Sequence, residues 1–311
     1  MAVPANTQQT YQSVGNREDL IDAIERISPT ETPFRSGIKK VDASATFHEW
    51  QTQELAAAAN NAQVEGDAFA SAAVVPTVRL GNRTQISAKA FGVTGTQEAV
   101  KSAGRGSEIG YQAALKAAEI KRDQEVALCQ NTTAVTGSAA VARQLRGLEG
   151  WIATNNSMGA GGVAPNYGTN TAPTDGTARA FTEALLKDVL QQIWVQGGNP
   201  DRIMLGASAR QTFSTFTGNA TRMDKAEDGK VYASTKVYVS DFGEIEVMPN
   251  RFQRARTVFV LEMSKWKLAV LRDFDKIDRP KSADAIEKAL ITEYTLEALQ
   301  EKASGAIRDV L

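Results

Sequence analysis

The chain has 311 residues, 42% hydrophobic and 23% charged, enough to bury a sizeable core without covalent staples. Lys+Arg is 35 against Asp+Glu 36, a formal charge of −1, so the chain lacks the basic surplus from which phosphate-backbone binding draws its affinity. A single cysteine, Cys129, excludes an intrachain disulfide framework, and the sequence offers neither a secretory leader nor an apolar run of the ~18 residues that a membrane span needs.

In chain order, residues 1–15 read as a polar, flexible arm. Asn16 caps a short helix, with Asp19 placed as in a capping box, and Leu20, Ile24 and Ile27 share one face of it. Ser28-Pro29 ends that helix. Its apolar face suits docking on a neighbouring chain as well as a core. Thr46–Trp50 and Val74–Leu80 read as strands. Between them, residues 51–73 hold only Leu55, Val64 and Phe69 as large apolar side chains. Such a stretch cannot bury enough apolar area to offset the entropy of ordering it, so the expectation is a long two-stranded excursion with a soft tip. An isolated hairpin is marginal in water, which places the excursion against another subunit.

Arg83–Gly95 gives a further strand. Ser107–Gln130 is the longest helix, roughly 35 Å at 1.5 Å per residue. Ile109, Ala113, Ala117 and Ile120 share its inner face, and Glu108, Lys116, Glu119, Lys121, Arg122, Asp123 and Glu125 are assigned to its outer side. Gly147–Trp151 reads as a tight turn and short strand, and residues 155–178 as a long Gly-, Asn-, Thr- and Pro-rich loop. Thr182–Gln196 is an amphipathic helix closed by Gly197-Gly198. Arg202–Leu205 is a buried strand and Ser208–Phe216 a helix. Val237–Val239 and Ile245–Met248 form a hairpin around Asp241-Phe242-Gly243. Thr257–Leu261, Lys267–Leu271 and Ala289–Leu299 are further strands. The order is α+β and not a regular βαβ alternation.

No catalytic motif survives its context. His48 is the only histidine, its HExxH match fails at Thr52, and an exposed strand histidine is expected. The GxGxxA match at Gly159–Ala164 is followed by Pro165, Asn166 and Gly168 where a helix would have to start. Asp241-Phe242-Gly243 has no catalytic loop to accompany it. Cys129 reads as a buried small hydrophobe. No catalytic residue, metal site or cofactor is therefore assigned. Two other readings stay open at this level: a self-assembling surface or filament protein, and an enzyme working through carboxylates.

The order and spacing of local motifs resemble those of tailed-bacteriophage major capsid proteins with the Hong Kong 97-like coat fold. The motifs are Thr32-Pro33-Phe34, Thr46–Trp50, Glu65-Gly66, Thr84-Gln85-Ile86, Val93–Thr96, Lys121–Glu125, Gly147–Gly150, Ile203–Gly206 and Glu293–Glu297. The resemblance runs from about residue 20 to the end and implies an α+β fold in four parts. Residues 1–37 would form an amino-terminal arm and residues 38–95 an extended β-hairpin loop lying across a neighbouring subunit. Residues 96–178 with 272–311 would form a peripheral domain with a long spine helix, and residues 179–271 an axial domain. It further implies homo-pentamers and homo-hexamers in an icosahedral shell around double-stranded DNA. The partners would be a portal, a separate scaffolding protein and a decoration protein, with no sequence-specific DNA contact and no membrane. Expected subunit contacts are Leu20, Ile24, Ile27, Trp50, Glu65, Phe69 and Arg122. A loop Lys crosslink of the kind some relatives make is not expected, because residues 51–73 contain no Lys.

Overall fold

A computed structural model describes residues 28–66, 68, 73–102, 104, 106–216, 237–281 and 283–311. The expected helix at residues 16–27, with Leu20, Ile24 and Ile27, lies outside the described residues, as does Phe69. The first described elements are α1 (Pro33–Gly37), β1 (Lys39–Asp42), β2 (Phe47–Thr52), β3 (Val78–Arg83), β4 (Gln85–Thr94) and α2 (Gly95–Ala99). The middle of the chain holds α3 (Glu108–Gln130), α4 (Leu148–Trp151), β5 (Asn155–Ser157), α5 (Glu183–Val195), β6 (Arg202–Leu205) and α6 (Ala207–Phe213). The rest is β7 (Val237–Ser240), β8 (Gly243–Pro249), β9 (Val258–Leu261), β10 (Trp266–Asp278), β11 (Ala285–Ala298) and β12 (Gly305–Ile307).

These strands form three sheets. One has the order β1-β10-β11-β4, with β1 parallel to β10 and the other pairs antiparallel. The second has the order β5-β12-β9-β6-β8-β7. The third is the antiparallel pair β2-β3 alone. Two apolar cores result. One joins α1, α3, α4 and the four-stranded sheet through Phe34, Leu128, Trp151, Trp266 and Leu296. The other packs α5 and α6 on the six-stranded sheet through Leu186, Val189, Ile193, Phe213, Ile203 and Val260. Strand β10 spans Trp266–Asp278, its pairing with β11 shifting register between Val270 and Arg272, and β5 and β12 pair inside the six-stranded sheet, so the chain crosses between the two cores several times.

Local chemistry explains the main elements. Ser107 caps α3, its Oγ accepting from the Gly110 amide at 3.1 Å. Of the expected inner face only Ile120 is fully buried; Ile109, Ala113 and Ala117 are half-buried. From β4, Lys89 reaches across to Glu119 at 3.2 Å and Asp123 at 2.8 Å. Helix α5 ends where Gly197 takes φ +84°, as a left-handed cap requires.

Two expectations change outright, and the loop expected at residues 155–178 begins later than expected. Gly147–Trp151 is a short helix, α4, and not a turn and strand. The glycines are there for close packing on the end of α3: a Cβ on Gly150 would collide with the Thr132 carbonyl oxygen, and one on Gly147 with the Leu128 carbonyl. Gly150→Ala should therefore destabilise the subunit by about 3 kcal/mol in thermal unfolding, near the top of the overpacking range. Residues 155–157 are strand β5, and residues 158–178 form the loop, tied by bridges Val163–Thr174 and Asn166–Thr171 and by the Gly159 amide donating to Asp309 Oδ2 at 3.0 Å. His48 is not exposed; its side chain sits against the Trp50 ring with Nε2 3.2 Å from Glu297 Oε2.

Candidate assembly interface

The β2-β3 pair projects from a root built of buried polar groups. Asn82, fully buried, donates through Nδ2 to the carbonyls of Arg146 and Leu296, both at 2.9 Å, and accepts from the Arg146 amide at 2.9 Å. Thr84 Oγ1 donates to Glu293 Oε1 at 2.7 Å. Trp50 lies in the main core, its ring 5.4 Å from that of Trp151. Every one of these contacts spans a long sequence separation, so the root is fixed by the folded subunit and not by the hairpin itself.

Beyond the root the chain changes character. Residues 53–66 have no regular secondary structure and are exposed. Leu55 is 98% exposed, Val64 74%, Val74 91% and Val75 62%. Few contacts to the subunit hold this part; one is the ion pair of Glu54 with Lys302 at 2.6 Å. A second exposed apolar area lies on the four-stranded sheet. Strand β4 turns Ser87, Lys89 and Phe91 toward α3, and by alternation sends Ile86, Ala88, Ala90 and Gly92 to the other side, where all four are exposed. The register sets Ala289 beside Ala90, Ile291 beside Ala88 and Ile277 beside Ala289. The result is a low-relief apolar face.

Helix α1 is joined to this body by a buried carboxylate. Sequence reasoning put Glu125 on the outer side of α3, but it is fully buried. Its oxygens accept from the amides of Phe34 at 2.9 Å and Arg35 at 2.7 Å, and from Asn250 Nδ2 at 2.7 Å. Those two amides are the free donors of the first turn of α1, and Pro33 ahead of them has none to satisfy. Arg35 Nε also donates to Gln124 Oε1. Glu125 thus ties together α1, the long helix and the loop after β8. Burial raises its pKa, while the donors and Arg35 pull the other way. Beside it, Cys129 is completely buried and its thiol is pushed well above the ordinary range, first by desolvation and then by Glu125. A signal for Glu125 existed in the sequence: it lies four residues before Cys129, on the same helix face.

The expected contact residues fall in different places. Trp50 is 8% exposed and has little surface left for a neighbour. Glu65 is exposed in the turn with Gly66. Arg122 is half-buried on α3. Leu20, Ile24, Ile27 and Phe69 are among the residues not described. Among the described residues no group of three or more His, Cys, Asp or Glu is placed to hold a metal ion, and no helix is long and apolar enough to cross a membrane.

Comparison with known proteins bears directly on this geometry. Residues 3–311 match the SU10 major capsid protein family. The major capsid protein of Escherichia phage Phieco32 is 26% identical over 340 residues, covering 96% of this chain and 95% of that protein. A structure from Microbacterium phage Oxtober96 superposes with TM-score 0.61 at 11% identity, covering 94% of this chain and 96% of that one. Mycobacterium phage Adephagia gives TM-score 0.59 at 12% identity, with 98% of both chains covered. The holo-SrpI encapsulin complex from Synechococcus elongatus PCC 7942 gives 0.58 at 12% identity, covering 95% and 92%. The fold is the α+β Hong Kong 97-like coat fold.

Proposed function

This chain belongs to the SU10 major capsid protein family, and from that membership we propose how its copies meet in the shell. It is a structural component of the virion, a major capsid protein that assembles with itself into phage heads. In our reading the copies close as pentamers and hexamers into an icosahedral shell around double-stranded DNA. Residues 1–37 act as the arm and residues 38–95 as the extended loop. Residues 96–178 with 272–311, whose spine is α3, form the peripheral domain, and residues 179–271, which hold α5 and α6, form the axial domain. A portal, a scaffolding protein and a decoration protein are the further partners in this reading. DNA is enclosed without sequence-specific contact, consistent with a net charge of −1.

The observation that carries this reading is the contrast along the excursion. Its root is locked by Asn82, Thr84 and Trp50, while Leu55, Val64, Val74 and Val75 beyond it are exposed. Apolar side chains held out on a rigid root are suited to another chain and not to their own. The low-relief face of Ile86, Ala88, Ala90, Ala289 and Ile277 on a neighbouring copy fits as the surface they cover. Weak contacts of this kind add up when each copy makes them around a closed ring.

Replacing residues 53–77 by an Asn-Gly turn, which suits a tight hairpin, leaves β2, β3 and both cores intact. The expected result is a soluble, cooperatively unfolding subunit that forms no shells in negative-stain microscopy. Shells of normal size and yield from this deletion would overturn the role assigned to the excursion.

A further inference from the structure

The axial lobe carries an exposed aromatic surface that neither core uses. Helix α5 buries Leu186, Val189, Leu190 and Ile193, yet its last turn sends out Trp194, 59% exposed, and Val195, 68% exposed. The turn between β7 and β8 brings Phe242 against Trp194, with ring centroids 5.5 Å apart and planes 28° from parallel. Both lie at the margin of the six-stranded sheet, where β7 is the edge strand and its outer side has no strand partner among the described residues. On β7, Tyr238 turns inward while Val237 and Val239 are 44% and 62% exposed. Asp241 and Glu244 flank the shelf and are exposed.

We propose that the Trp194–Phe242 shelf, with the β7 edge beside it, is the surface by which one copy meets the next around a ring. The inference rests on the ring-forming reading above and adds the residues of the contact. A second copy is the occupant because the family assembles from copies of itself. Tryptophan and its aromatic neighbours are the side chains that most often dominate such contacts. Because a ring is closed by two different surfaces meeting head to tail, the shelf faces a different patch on the next copy and not its own image.

The test pairs a variant with a footprint. Trp194→Ala combined with Phe242→Ala removes only exposed rings, so the circular dichroism spectrum and melting temperature should match the parent. The yield of rings or shells should fall by about tenfold or more. Hydroxyl-radical labelling of Trp194 in the parent should drop several-fold between free subunits and shells; it needs no variant and so decides even if the double variant misfolds. Parent-level shells from the double variant, or equal labelling of Trp194 in both states, overturns the proposal and leaves the ring reading standing. A parent chain that stays monomeric under every assembly condition overturns both.

Discussion

Glu125→Ala should lower the stability of the subunit by about 4 kcal/mol, because it strands three donors at once: the Phe34 and Arg35 amides and Asn250 Nδ2. In thermal unfolding that corresponds to a fall of roughly 10 °C in Tm. Glu125→Gln should cost less, since its carbonyl can still accept while its amide faces a donor it cannot satisfy. The same carboxylate makes a pH prediction. Burial raises its pKa in the folded state, so the native chain binds this proton more readily than the unfolded chain does. Its contribution to stability is therefore largest below the ordinary carboxylate range and is lost as pH rises through the raised folded value. A plot of stability against pH should show this fall in the parent and lack it in Glu125→Gln. A Glu125→Ala subunit as stable as the parent would show that α1 is not anchored through this residue.

A second large effect is expected at the other end of the chain. Arg308 and Glu149 form an ion pair with side chains 4% and 0% exposed, and Arg308 also donates to the Glu149 and Ile152 carbonyls and to Asn156 Oδ1. The pair fastens the strand-end after β12 to α4. Desolvation lowers the Arg308 pKa, and Glu149 opposes that shift. Arg308→Met should cost about 3–5 kcal/mol, because the Glu149 carboxylate is left charged and buried. Arg308→Met with Glu149→Met removes the stranded charge and should recover a good part of that loss when both variants are unfolded by chemical denaturant. If the double variant is as unstable as the sum of the single ones, the carboxylate is not the source of the cost.

Much of the secondary structure was legible because its signals are local. Thr182–Gln196 and Arg202–Leu205 declare their periods within one window, and the observed α5 and β6 differ from them by a residue or less. The excursion was visible as a shortage of apolar residues. Gly147–Trp151 was misread because four residues carry no helical period and glycines usually signal a turn; its real cause is the backbone of Thr132 and Leu128 pressing on it. Glu125 and His48 were assigned to the outside for a related reason. A charged or polar side chain is buried only when donors arrive from elsewhere, here from residues 34, 35 and 250 for one and from Glu297 for the other. Trp50 reads the same way, since its partner Trp151 comes from a distant segment. The surfaces proposed for contact were the least legible, because exposure of Leu55, Trp194 or Ile86 is decided only once the subunit has closed around everything else.

Negative-stain electron microscopy of the purified full chain across a range of salt, pH and protein concentration is the most direct measurement. Closed shells or capsomer rings are the expected result. Monomers under every condition, or open filaments in place of closed particles, would contradict a coat subunit built on this plan.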